Sequence, residues 1–243
     1  MGAVILAAGQ GKRMKSDLPK VLHPIGGRPM VAHVIDAVKT LSPRRVIVVV
    51  GYMAERVEEA CAQQGVEFVL QAQQLGTGHA VMQAEALLEG FDGLLLVLNG
   101  DVPGLRPATL AALVRDHGES GAAATVLTAE VDDPSGYGRI VRGPGGELER
   151  IVEHKDATAA ERAIREINSG LFCFDARSLF AVLEATGRDN VQREYYLTDA
   201  IALLKNTCAR VRAHLVADSR EVAGVNDPRE LEAVRRFIEG AKK

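Results

Sequence analysis

Four short stretches of the chain are apolar almost without a break: residues 3–8 (AVILAA), 45–50 (RVIVVV), 67–70 (EFVL) and 94–98 (LLLVL). A strand with one wet face alternates apolar and polar side chains, so an unbroken run marks a strand covered on both faces. Helix-forming segments lie between the runs. Pro29 begins one whose apolar stripe is Val31, Val34, Ile35 and Val38, and residues 54–64 and 78–88 are two more. Strand–helix alternation builds a parallel sheet with helices on both sides. Ligands in such sheets bind beyond the carboxyl ends of the strands. The four runs lead into Gly9–Gln10–Gly11, Gly51, Gln71 and Asn99–Gly100–Asp101, so these loops are expected to meet at one edge.

The second half is less regular. Strands are expected at 122–131, 148–152, 167–174 and 210–216, a turn-rich loop at 132–137, and helices at 159–165, 176–185 and 198–204. Asp227 is placed to cap a final helix running towards Ile238. No repeat or flexible linker interrupts the 243 residues, so one α/β unit is expected.

Net charge is −3, from 29 basic and 32 acidic residues, so any anion site must be local. Aromatic residues make up 4% and tryptophan is absent, which argues against stacking platforms for single-stranded nucleic acid. No apolar run approaches the roughly 18 residues of a membrane span. The first residues lack the charged-then-apolar order of a signal peptide. Cys61, Cys173 and Cys208 are far apart and have no zinc spacing, which suits reduced, mostly buried thiols. A soluble cytoplasmic protein without nucleic-acid or membrane partners is expected.

The densest signal is residues 6–20, LAAGQGKRMKSDLPK. A P-loop would need GxxxxGK[ST], which does not occur, and a dinucleotide fingerprint would need glycine where Met14 stands. The remaining functional reading is a loop that wraps a nucleoside triphosphate. Glycines let backbone N–H groups approach phosphate, and Lys12, Arg13, Lys15 and Lys20 supply charge. A solvated basic loop is the rival, but four cations this close repel one another without an anion.

Leu6-Ala7-Ala8-Gly9-x-Gly11-x-Arg13-Met14, followed by Pro19-Lys20, resembles the signature of sugar-1-phosphate nucleotidylyltransferases. Lys20-Val21-Leu22-His23 is similar to the uridylyltransferase domain of the bifunctional N-acetylglucosamine-1-phosphate uridylyltransferase/glucosamine-1-phosphate acetyltransferases. Further segments follow in that family's order: 71–80 (QAQQLGTGHA), 100–103 (GDVP), 136–140 (GYGRI), 151–156 (IVEHKD), 166–170 (EINSG), 194–199 (EYYLTD) and 224–226 (GVN). The resemblance therefore covers nearly the whole chain.

The fold this resemblance implies is of the nucleotide-diphospho-sugar transferase type, a Rossmann-like, mostly parallel mixed sheet flanked by helices. It implies one domain over 1–226, with a nucleotide-binding lobe to about residue 120 and a sugar-binding lobe from about 121, then a C-terminal helix over 227–243. The reaction it implies joins UTP and N-acetylglucosamine 1-phosphate, giving UDP-N-acetylglucosamine, a cell-wall precursor, and pyrophosphate. A phosphate monoester has its second pKa near 6, so the nucleophile is already largely ionised and needs no general base. The task is to bring anions together, which calls for cations and Mg²⁺.

By the same resemblance, Arg13 and Lys20 are the catalytic cations. Leu6, Ala7, Ala8, Gly9, Gly11, Gln71, Gly76, Thr77, Asn99 and Gly100 form the nucleotide site. Gly138, Glu153, Asn168, Tyr195 and Thr198 form the sugar site. Asp101 and Asn226 hold the metal, although a turn or capping role is a rival for each. Lys12 stands where the family usually has Thr or Ser, and Asn99 where it commonly has Tyr. His23, His79 and His154 are scattered and read as structural. Two alternatives stay open: the same chemistry on another sugar 1-phosphate or nucleotide, and a non-catalytic nucleotide-sugar-binding subunit. The acetyltransferase half and its trimer contacts lie beyond the resemblance, so a monomer or weak oligomer is expected.

Overall fold

The computed structural model describes residues 1–240. The chain runs β1 (Gly2–Ala7), a small hairpin of β2 (Pro24–Ile25) and β3 (Arg28–Pro29), α1 (Met30–Lys39), β4 (Val46–Val50), α2 (Ala54–Cys61), β5 (Glu67–Leu70), α3 (Thr77–Gln83), β6 (Leu94–Asn99) and α4 (Pro107–Ser120). It continues through β7 (Ala124–Glu130), β8 (Gly138–Arg142), β9 (Leu148–Val152), α5 (Ala159–Arg162), β10 (Glu166–Asp175), α6 (Ala176–Leu183), α7 (Asp199–Asn206), β11 (Val211–Leu215) and α8 (Pro228–Gly240).

Nine strands make one mixed sheet in the order β11-β7-β10-β6-β1-β4-β5, with β8 and β9 attached through β10. The stretch β6-β1-β4-β5 is parallel throughout. β10 runs antiparallel to both β6 and β7, so the second half of the chain extends the same sheet rather than building another. From β1 the chain moves outward to β4 and β5, then returns to the other side of β1 at β6. Strand order reverses there, and a crevice opens beyond the carboxyl ends. Leu6 and Asn99 are paired at its floor.

The unbroken apolar runs follow from burial on both faces. Ile5, Val48, Val50, Leu96 and Leu98 pack with α1, α2 and α4, while Val4, Ile47, Val49, Leu95 and Val97 pack with α3, α6 and α7. A third cluster joins Met14, Ile25, Met30, Val225 and Val234. Through it α8 holds the base of the glycine loop, and the Arg106 and Arg220 guanidinium groups sit 5.2 and 5.0 Å from the Phe237 ring centre. The Asp227 carboxylate caps α8, accepting from the N–H groups of Arg229 and Glu230 at 2.8 and 2.9 Å.

Several elements depart from the sequence expectation: β8 and the β2–β3 hairpin were not expected as strands. Residues 107–120 form α4, which sequence reasoning missed because its buried side is only Leu110, Leu113 and His117. The helix expected over 78–88 stops at Gln83 and resumes as a 3₁₀ turn, Ala86–Leu88. Cys61 and Cys173 are buried and Cys208 is exposed. Burial pushes the Cys61 thiol up to about 11 and the Cys173 thiol to about 12, so neither is a ready nucleophile. Among the described residues no helix is long and apolar enough to cross a membrane.

Leu96 is fully buried and paired with Ala3 on one side and Cys173 on the other. Leu96→Ala is expected to cost about 2–5 kcal/mol, read from urea unfolding.

Candidate active site

The crevice contains two adjoining cavities of ≈ 330 and ≈ 230 Å³. Together they reach the size of a small-molecule site, about 300–1,000 Å³. The first lies over β1 and is lined by Leu6, Ala7, Ala8, Gly9, Lys20, Gln71, Gly76 and Thr77 among others. The second is lined by Arg13, Gly138, Glu153, Asn168, Thr198 and Asn226 among others. Leu6, Thr77, Asn99 and Asp101 belong to both, so Asp101 stands at their junction.

Local packing explains how the glycine loop reaches this point. Met14 is buried in the third cluster, while Pro19, Val21 and Leu22 bury the loop's far end. Gly11 has φ +69°, and a Cβ there would lie 2.5 Å from Lys20 Cβ. Only glycine accepts both constraints without displacing the Lys20 stem. The loop thus delivers Arg13 to one cavity and Lys20 to the other. Lys12 and Lys15 are exposed and line neither.

The Lys20 ammonium makes a close ion pair with Asp101 Oδ2 and donates to Asn226 Oδ1 at 3.2 Å. Both side chains of the ion pair are about 15% exposed, so the pair is well shielded from solvent. One cation therefore touches an oxygen from each residue assigned to metal binding. The donor set fits Mg²⁺, which prefers hard oxygen ligands, takes few from protein and keeps water on the rest. Glu230 Oε2 accepts from the Asn226 N–H at 2.6 Å and fixes that residue's position.

In the first cavity Gln71 is 3% exposed. Its amide nitrogen lies 3.0 Å from the Gly76 carbonyl oxygen and 3.0 Å from His79 Nδ1. Because Gly76 O can only accept, the Gln71 amide is oriented with its nitrogen there, which leaves Oε1 without a protein partner among the described residues. Gly76 has φ +109°, and a Cβ would lie 2.5 Å from Tyr195 O. The Gly78 and Leu197 N–H groups donate to Tyr195 O and Thr77 Oγ1, at 2.8 and 3.1 Å. Segment 194–198 therefore clamps the turn that enters α3.

In the second cavity Thr198 Oγ1 donates to Glu153 Oε1 at 3.1 Å. A Cβ on Gly138 would lie 3.4 Å from both Glu153 oxygens. Burial, with Asp156, Asp199 and Glu194 nearby, pushes the Glu153 carboxyl above the usual range, opposed by the Thr198 bond. Asn168 sits where the β7–β10 register shifts, and its Oδ1 accepts from the Gly170 N–H at 2.9 Å. Gly170 has φ +77° and lies directly against the Asn99 side chain. Bulges of this kind re-aim side chains next to sites.

Three expected site residues line neither cavity. Gly11 shapes the loop, and Gly100 donates its N–H to Leu6 O at 2.9 Å, closing the crevice floor. The Tyr195 ring stacks on His79, 6.1 Å between centroids, with the Arg188 guanidinium 5.4 Å from its centre. Its contribution comes through the backbone. Glu194, Tyr137 and Glu230 line the cavities and were missed. Tyr137 stands beside Gly138 in the 136–140 segment, which was the available signal; Glu230 gave none, because it reads as an ordinary first-turn helix acid.

The crevice where strand order reverses thus holds two basic side chains and a carboxylate around the joint of two cavities. A model of the MobA-like NTP transferase domain matches residues 3–197, and the chain belongs to that family. Bifunctional protein GlmU of Geobacter metallireducens is 50% identical, covering 98% of this chain and 50% of that protein. GlmU of Listeria monocytogenes serotype 4b (strain CLIP80459) is 51% identical, covering 98% and 52%. GlmU of Bacillus cereus strain G9842 is 53% identical, covering 93% and 49%. The chain thus spans about half the length of the curated relatives it matches. A solved UDP-glucose pyrophosphorylase complexed with UDP-glucose has a TM-score of 0.78 over 100% of this chain and 99% of its own, at 19% identity, which shows the shared fold.

Glu153 titrates above its unfolded value of about 4.3, so its charged form is the one the fold disfavours. That cost is full above the raised pKa and absent below the unfolded one. Glu153→Gln should therefore raise the melting temperature at pH 8, with the gain vanishing towards pH 4.

Proposed function

We propose that this domain transfers UMP from UTP to N-acetylglucosamine 1-phosphate, releasing pyrophosphate and using Mg²⁺. The observation that carries this reading is the meeting of Lys20 with Asp101 and Asn226 at the junction of two cavities. One cavity has the makings of a base pocket and the other of a sugar pocket. The sequence resemblance, at about half identity to the bifunctional relatives, supports the particular substrates.

In the base pocket the free Gln71 Oε1 suits the N3–H donor of uracil and opposes the unprotonated N3 of cytosine. Leu6, Ala7, Ala8 and Gly9 bring backbone close to the nucleoside, and Thr77 and Asn99 line the passage towards the phosphates. Arg13 draws the terminal phosphates and disperses charge on the departing pyrophosphate. Lys20 neutralises the α-phosphate region. In the other pocket, Glu153 and the free Asn168 amide nitrogen offer an acceptor and a donor for sugar hydroxyls and an N-acetyl group. Thr198 holds the carboxylate in place.

Asp101 and Asn226 would hold Mg²⁺, which supplies charge neutralisation for the phosphates it touches. The nucleophile arrives ionised, so none of the histidines is assigned a proton-transfer step. The free thiols and the absence of a membrane-crossing helix among the described residues are compatible with a cytoplasmic setting.

Pyrophosphate release is measured with Mg²⁺, UTP and a panel of sugar 1-phosphates. N-acetylglucosamine 1-phosphate is expected to turn over best, and preference for another sugar would overturn the substrate assignment. Asp101→Asn and Lys20→Met should each lower turnover about 100-fold with circular dichroism unchanged.

A further inference from the structure

We infer that Arg139, which lines neither cavity of the crevice, is a positioning residue for the sugar pocket and braces the chain around Gly138 against the chain around Glu153. The inference rests on the transfer reading above, since it concerns what holds that reading's sugar site in shape.

The sugar pocket lies where a ladder of strands ends. β8 pairs with β9 from Arg139↔Val152 to Arg142↔Leu148, and with β10 through Arg139↔Ile167 and Gly138↔Asn168. Gly138 and Glu153 therefore each stand one residue past the last β8–β9 pair. The spacing between them decides the pocket, because a Cβ on Gly138 would already lie 3.4 Å from both Glu153 oxygens. Thr198 holds the tip of that carboxylate, but the ladder does not hold the main chain beneath it.

Arg139 takes over where the ladder stops. Its side chain is 1% exposed. The guanidinium donates to the carbonyl oxygen of Tyr137, the residue before Gly138, and to His154 Nδ1, on the residue after Glu153, at 3.3 Å. It also donates to Arg162 O at 3.4 Å, and Arg162 Nε donates back to His154 O at 3.2 Å. The outer neighbours of Gly138 and Glu153 are thus tied to one group. A guanidinium carries its donors in a rigid plane, so its acceptors are fixed relative to one another.

This brace is held at a cost. Arg139 makes no ion pair among the described residues, and its Nε has no protein partner there. A buried cation without a counter-ion is destabilising, and an apolar side chain could fill the same space. Departures from local packing rules of this kind gather at functional sites.

Pyrophosphate release is measured with Mg²⁺, UTP and N-acetylglucosamine 1-phosphate for wild type and Arg139→Met, and UMP binding is measured by calorimetry. The substitution is expected to raise KM for the sugar phosphate about tenfold, while kcat, KM for UTP and UMP affinity stay within about twofold. A merely structural role would not separate the two substrates. An unchanged KM for the sugar phosphate, or an equal loss for UMP, overturns the inference. If Arg139→Met does not fold, Arg139→Lys, which keeps a cation but loses the planar fork, is read by the same separation. Amide hydrogen exchange needs no substrate: segments 136–140 and 152–156 should exchange about tenfold faster in the variant, with β1 and β6 unchanged. Unaltered exchange in those segments also overturns the brace. A wild type that releases no pyrophosphate fails the transfer reading, and hydrogen exchange then decides the brace by itself.

Discussion

The contact between the Lys20 ammonium and the two oxygens of Asp101 and Asn226 organises this molecule. Its three members lie far apart in sequence. Lys20 ends the glycine loop after β1, Asp101 follows β6, and Asn226 precedes α8. Bringing them together requires β1 and β6 to be neighbours, the loop to be anchored at both ends, and the C-terminal helix to be docked on that loop. The Asp101 carboxylate is largely shielded from solvent, so leaving it without a cation would be costly. The Lys20 ammonium fills that need, and the same two oxygens suit a divalent cation.

The rest of the fold can be read as support for that point. The parallel strands β4, β1 and β6 are covered on both faces, which leaves their carboxyl ends as the open edge. The antiparallel β10 carries the second half back onto β6, and its irregularity at Asn168–Leu171 turns Asn168 towards the cleft. Segment 194–198 then ties the halves together, holding the Gly76–Gly78 turn through Tyr195 and Leu197 and the Glu153 carboxylate through Thr198. Neither pocket has walls from one half alone.

Much of this was legible in the chain itself. The apolar runs announced buried parallel strands, and the loops after them announced the edge where ligands bind. The positions of Arg13, Lys20, Asp101, Glu153 and Asn226 followed from ordered motifs, and the structure gathers all five around adjoining cavities. What escaped detection did so for identifiable reasons. The sparse apolar stripe of α4 hid that helix. Tyr195 looked like a ring for the sugar wall, but its backbone carbonyl is what clamps the turn. Glu230 acts through the Asn226 N–H, a contact between a side chain and a main-chain group that no residue pattern encodes. Arg139 reads as one basic residue in a strand, and only the structure shows it buried with its guanidinium 3.3 Å from His154 Nδ1.

The most direct test of the account is whether Asp101 and Asn226 form one cation seat. Free Mn²⁺, a spectroscopic stand-in for Mg²⁺, is titrated into the protein–UTP mixture by electron paramagnetic resonance. Asp101→Asn and Asn226→Ala should each weaken Mn²⁺ binding about tenfold or more. Mn²⁺ affinity unchanged by both substitutions would contradict the account.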